Sequence, residues 1–151
     1  MKIVSAIPGL AKTPTEQEIR EFLNSRLNLQ LGTVDEKGDP NIHPIWFLFE
    51  NEKLYVMTPK KSKKAVNAIR QKRIYYSIDD ETFPYKGVKG KADTHLLEDT
   101  SNNITIAEKI ITKYMGGLDN DLGRWILNEV KQGNEAVLEI TPKYYSAWSF
   151  A

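Results

Sequence analysis

Leu29-Gln30-Leu31-Gly32-Thr33-Val34, followed by Asp35-Glu36-Lys37-Gly38-Asp39-Pro40 and then the run Asn41 to Glu50, is the stretch that decides the fold. Its first six residues alternate apolar with small or polar side chains, the period of a half-buried strand. The next six carry turn chemistry, with acidic residues, a glycine and a proline together. Asn41 to Glu50 is rich in apolar, aromatic and β-branched residues and reads as a second strand. Asn51-Glu52 makes a tight connection into Lys53-Leu54-Tyr55-Val56-Met57-Thr58, a third alternating run, expected to pair antiparallel with the second. The three together predict a meander.

Working outward, Ala65, Val66 and Ile69 fall on one helical face between Ser62 and Gln71, so a short helix is expected after the third strand. Arg73 to Ile78 and Lys86 to Leu97 read as strands around a loop holding Asp79-Asp80-Glu81 and Pro84. Helical spacing returns at Ile104 to Met115, stops at Gly116-Gly117, and resumes from Leu122 to Val130. Ala136 to Ile140 and Tyr144 to Trp148 are expected as closing strands around Pro142. Upstream, Ile19, Phe22, Leu23 and Leu27 mark an amphipathic helix over Thr15 to Leu27, with Thr13 and Glu16 spaced as a capping box.

About six strands, mostly joined by hairpins, with short helices between them point to an α+β fold built on a small antiparallel barrel. The connections are too short for parallel crossovers, and no Gly-x-Gly-x-x-Gly follows a strand, which excludes the usual dinucleotide fingerprint. No repeat or long linker divides the chain, so residues 1–151 are expected as one domain.

Composition excludes several chemistries. The 151 residues hold 21 Lys plus Arg against 20 Asp plus Glu, a net charge of +1 that gives no overall field for nucleic acid or an anionic membrane. Without cysteine there is no disulfide, thiolate nucleophile or iron–sulfur ligand, and two histidines, His43 and His95, leave little for a metal. Met1 to Gly9 has no apolar stretch long enough for a signal-peptide core, so a cytoplasmic location is expected.

Charge clusters at one place. Lys60-Lys61-Ser62-Lys63-Lys64 lies between an expected strand and the start of an expected helix. A helix N-terminus already carries about half a positive charge, so lysines there are unfavourable unless an anion joins them. A phosphate fits, taking hydrogen bonds from first-turn N–H groups and from the Thr58 and Ser62 hydroxyls, with lysine charge around it. Arg70-Gln71-Lys72-Arg73, at the other end of the helix where cations are favoured, reads as structural. Pro44 interrupts ladder pairing in His43-Pro44-Ile45-Trp46-Phe47, where free backbone groups can face a planar ligand. His95, on an alternating strand, reads as structural.

These segments in order, with Gly38-Asp39-Pro40, Ser62-Lys63-Lys64 and Gly90-Lys91-Ala92, resemble the pyridoxamine 5′-phosphate oxidase-like, FMN-binding split β-barrel family over about residues 15 to 98, and less closely through Tyr144 to Trp148. The resemblance implies a six-stranded antiparallel split barrel with flanking short helices, and a homodimer with flavin at the interface. It places Thr58, Ser62 and Lys64 at the flavin phosphate, with Met57 and Lys63 beside them. His43, Pro44, Ile45 and Trp46 would run along the isoalloxazine ring. Tyr85 and Lys86 match a region that reaches the flavin from the partner subunit, and Trp148 matches a late tryptophan near the site. The oxidase proper carries Arg-x-x-Leu-Lys on the ring-facing strand, where this chain reads Ile42-His43-Pro44-Ile45-Trp46-Phe47. The expected function is therefore that of an FMN-binding oxidoreductase acting on a small organic substrate, with no catalytic side chain singled out. The alternatives are a deazaflavin-dependent reductase or a flavin- or haem-binding module without turnover.

Overall fold

The computed structural model describes residues 1–151. Four helices flank one curled sheet of nine strands. In chain order the elements are β1 (Ile3–Ser5), α1 (Glu16–Leu23), β2 (Leu29–Val34), β3 (Pro40–Ile45), β4 (Leu48–Glu50), β5 (Lys53–Pro59), α2 (Lys63–Gln71) and β6 (Arg73–Asp80). They continue with β7 (Lys86–Leu97), α3 (Thr100–Met115), α4 (Asp121–Lys131), β8 (Glu135–Pro142) and β9 (Tyr145–Ser149).

The main path through the sheet is β3-β2-β6-β7-β8-β5-β4, and every pairing along it is antiparallel. The expected strand from Asn41 to Glu50 is thus two strands, β3 and β4, at opposite ends of the path. The meander is corrected with it: β3 pairs with β2 alone, and β5 pairs with β4 and β8. Counted as one interrupted strand, β3 and β4 join β2, β5, β6, β7 and β8 as the six strands of a split barrel. Trp46 and Phe47 carry the chain across the split. β9 adds to β7 outside this path, and β1 pairs parallel with β9. With three residues, β1 is too short to show an alternating pattern in the sequence.

The break at Phe47 frees a backbone N–H and C=O from the ladder, and α3 satisfies both. The Phe47 N–H donates to the Tyr114 hydroxyl at 3.2 Å, and the Lys113 ammonium donates to the Phe47 carbonyl at 2.9 Å. The same ammonium lies 3.7 Å from the centre of the buried Phe47 ring, and burial pushes its pKa down to about 8. Nineteen buried residues fill the barrel, among them Leu29, Leu31, Leu54, Val56, Tyr76, Ile78, Leu138 and Ile140. Ala107, Ile111, Ile126 and Val130 form a smaller core between α3 and α4.

Local signals account for most element ends. The capping box forms at Thr15 and Glu18, two residues beyond the expected Thr13 and Glu16, so α1 starts later than Thr15 and ends at Leu23. Asn51 (φ 53°) and Glu52 (φ 65°) are both left-handed, as a two-residue hairpin turn requires, and they join β4 to β5. α3 begins at Thr100, earlier than Ile104, because Asp99 caps it by accepting from the N–H groups of Ser101 and Asn102. It ends where Gly116 adopts φ 80°. No helix is long and apolar enough to cross a membrane.

Candidate functional site

Ser62 is the N-cap of α2: its hydroxyl accepts from the Ala65 N–H at 3.3 Å and lies 3.1 Å from the Thr58 hydroxyl. Thr58 belongs to the inward set of β5, alternating with Leu54 and Val56, and is only 2% exposed. The last inward residue of a strand and the N-cap of a helix therefore bring two hydroxyls together at the helix start. No acidic residue occupies the first turn of α2.

The four lysines of the cluster have different surroundings. Lys60 and Lys61 are exposed and make no ion pair, and the Lys60 N–H donates to the Asn134 carbonyl at 3.0 Å. Lys63 turns to the β2–β3 turn, 3.7 Å from an Asp35 carboxylate oxygen, and does not line the cleft described next. That carboxyl is held below its usual range chiefly by hydrogen bonds from the Asp39 and Lys37 backbone N–H groups, with Lys63 contributing less. Lys64 is half-buried, has no carboxylate within ion-pairing distance, and lines the cleft.

That cleft encloses about 400 Å³ and runs from Thr58, Pro59 and Lys64 across Met57 to His43, Pro44, Ile45 and Trp46. Thr58 and Lys64 of the sequence-predicted anchor open into one space with the sequence-predicted ring strand, and Asn28, Ile126 and Glu135 complete its walls. Ser62 stands behind Thr58 and is not itself a wall residue. β3 is an end strand, so one side of its backbone has no strand partner. His43 and Pro44 are exposed on it. Trp46 stacks on Tyr114 with centroids 4.7 Å apart and planes 3° from parallel. The Tyr114 hydroxyl donates to the Leu27 carbonyl at 2.5 Å, which fixes that ring pair at the cleft end. An adjoining cleft of about 680 Å³ shares Asn28 and Trp46 and carries Arg26, Asp79, Asp80 and Glu81.

Glu135 is the wall residue that sequence reasoning missed. It opens β8 opposite Pro59 of β5, is 9% exposed, and its Oε2 has no hydrogen-bond partner. Burial, with help from the nearby Glu129 carboxylate, pushes its pKa up to about 7, while Lys64 pulls it the other way. A glutamate just after Gly133-Asn134 reads as turn surface. Only its place in the alternation before Ala136 could have pointed inward.

Tyr85, Lys86 and Trp148 lie elsewhere in the same chain. Lys86 and Trp148 line a separate cleft of about 270 Å³ with Pro14, Phe22 and Gly87, and Tyr85 packs on Trp148 with ring centroids 5.5 Å apart. Trp148 is buried with its indole N–H unpartnered. Its ring needs Gly87, since a Cβ there would stand 2.5 Å from it. A single chain thus separates these residues from the cleft of Thr58 and Lys64. His95 is exposed on β7, opposite Glu139 of β8.

Comparison with known proteins decides the family, since residues 15–149 match the profile of pyridoxamine 5′-phosphate oxidase. The chain belongs to that family. No curated protein matches it. Solved structures share its fold: a conserved hypothetical protein from Mycobacterium tuberculosis is 21% identical, covering 93% of this chain and 88% of its own, with a TM-score of 0.79. An FAD-binding protein from Mesorhizobium loti is 15% identical over 94% of this chain and 99% of its own, with a TM-score of 0.70. A protein described as an F420 reductase is 20% identical over 84% and 94%, with a TM-score of 0.64. At these identities the likeness is one of fold. The split-barrel expectation is met by the architecture and by these neighbours.

Proposed function

We propose that this member of the pyridoxamine 5′-phosphate oxidase family binds FMN and works as a flavin-dependent oxidoreductase. The observation that carries the reading is the cleft of about 400 Å³ in which Lys64 and Thr58, at the start of a helix with no acid in its first turn, open onto the same space as β3. The residues present fit a phosphorylated, planar ligand. Thr58 supplies a hydroxyl at the cleft wall with the Ser62 hydroxyl 3.1 Å from it, Lys64 supplies an unpaired ammonium, and the first-turn N–H groups of α2 supply donors. His43, Pro44, Ile45 and Trp46 line the side along which a ring would lie. When bound, the flavin ring supplies the hydride or electron transfer, and this chain holds, orients and partly shields it.

The family and two of the fold neighbours, an FAD-binding protein and an F420 reductase, support a flavin-type cofactor. FMN fits better than a cofactor with a longer anionic tail, because the cleft is lined by one lysine, enough for one phosphate, and the adjoining cleft is acidic.

The working unit is a homodimer with the flavin at its interface, where Tyr85 and Lys86 of the partner subunit approach the ring. Its support is the outer face beside the cleft. Ile42 (70% exposed) and Tyr75 (54% exposed) stand on either side of Gly32 in the register, and Phe83 is exposed nearby in sequence to Tyr85. Sedimentation as a monomer at all concentrations contradicts the dimer.

The test of the cofactor is the visible spectrum of protein purified without added ligand, with mass spectrometry of whatever heat releases, followed by titration with FMN. The reading predicts a flavin spectrum or saturable FMN uptake. Colourless protein that takes up a deazaflavin tightly and FMN weakly contradicts it.

A further inference from the structure

Glu135 is out of place in a cleft built for an anion. Glu135 lines the same space as Thr58 and Lys64, it is nine-tenths buried, its Oε2 is buried without a partner, and no ion pair joins it to Lys64. A carboxylate held there would repel a phosphate and offer it no donor. A carboxylic acid in the same position would offer one.

We propose that Glu135 meets the ligand phosphate as the neutral acid, donating a hydrogen bond to a phosphate oxygen, so that binding takes up one proton from solvent. The inference rests on the flavin-phosphate reading of this cleft. Each element packed around the carboxyl contributes to the balance. Lys64 of α2 favours the ionised form and Glu129 of α4 the neutral one. Thr58 and Pro59 of β5 carry no charge, Lys60 follows them in the turn, and His43 of β3 lies along the same cleft. With a pKa of about 7 in the free protein, roughly half the molecules hold the proton at neutral pH. A bound dianion favours the proton further, since two like charges in one partly dry site disfavour each other. Above pH 7 the phosphate of the ligand is already a dianion, its second pKa lying near 6, so it adds no proton of its own there.

The experiment is calorimetric titration of the purified protein with FMN at pH 8 in two buffers of different ionisation heat, repeated with riboflavin, which lacks the phosphate. Fluorescence titration with FMN from pH 7 to 8.5 accompanies it. The expected result is uptake of close to one proton per FMN and little with riboflavin, with FMN affinity falling about 15-fold across that pH range. Glu135→Gln is expected to bind FMN with no uptake and a flat pH profile. FMN binding without proton uptake by the native protein overturns the inference and leaves the flavin reading standing. So does uptake that persists in Glu135→Gln, which assigns the proton to another group, or equal uptake with riboflavin. The native measurement stands even where the variant fails to fold. Absence of FMN binding at every pH removes the cofactor reading itself, and this inference with it.

Discussion

Replacing Ser62 with alanine separates what this residue does for the fold from what it does for the ligand. In the protein without ligand, Ser62 accepts the Ala65 N–H at 3.3 Å and meets the Thr58 hydroxyl at 3.1 Å. Loss of a serine N-cap costs about 1 kcal/mol. The hydroxyl of Thr58, a residue only 2% exposed, then loses its one side-chain partner, which costs about another 1 kcal/mol. A total near 2 kcal/mol lowers the melting temperature of a chain of this size by about 4–8 °C. The assay is urea and thermal unfolding of Ser62→Ala, Thr58→Val and the double variant. Thr58→Val keeps the cap and removes the hydroxyl, so the cycle isolates the pair, with an expected coupling of about 0.5–1.5 kcal/mol. Added phosphate is expected to stabilise the native protein more than Ser62→Ala. A variant as stable as the native protein, with no coupling to Thr58→Val, refutes the reasoning that this hydroxyl pair organises the helix start.

Lys64→Met is expected to weaken FMN about 10–100-fold and to leave riboflavin unchanged in the same fluorescence titration, since the lost contact is a charge-assisted bond to phosphate. Gly87→Ala should cost about 1–3 kcal/mol in urea unfolding, because its Cβ would stand 2.5 Å from the Trp148 ring and 2.8 Å from the Ile78 carbonyl oxygen. Glu135 gives the ligand-free protein a pH dependence of known sign. Folded, it keeps its proton up to about pH 7, whereas the ordinary value is 4.5. Its contribution to stability is present in full below pH 4.5 and is lost as pH rises through 7, by up to about 3 kcal/mol relative to Glu135→Gln. Unfolding curves of the two proteins at pH 4.5, 6 and 8 check it.

The sequence made the strands legible wherever alternation was strong, as in β2, β5 and β7, because one face of each packs into the barrel. It hid the break between β3 and β4. Asn41 to Glu50 is one apolar run, and its division follows from which strand ends the curled sheet leaves for it, with Tyr114 and Lys113 of a distant helix taking up the freed Phe47 backbone. The capping box slipped because Thr13/Glu16 and Thr15/Glu18 share one spacing, and only the formed helix chooses between them. In the site, Thr58, Ser62 and Lys64 were legible because lysines at a helix start conflict with its dipole, and conflict of that kind is local. Glu135 was not legible, because its burial is set by β8 lying against β5, a pairing between segments about eighty residues apart in sequence. Tyr85, Lys86 and Trp148 could be matched by resemblance, yet one chain holds them in another cleft.

The central claim is that a flavin phosphate sits at the junction of β5 and α2. A crystal structure of the protein with FMN tests it most directly. The account predicts the phosphate within hydrogen-bonding distance of the Thr58 and Ser62 hydroxyls and the Lys64 ammonium, with the ring along His43 to Trp46. FMN bound with its phosphate elsewhere, or a cleft that stays empty in saturating FMN, contradicts it.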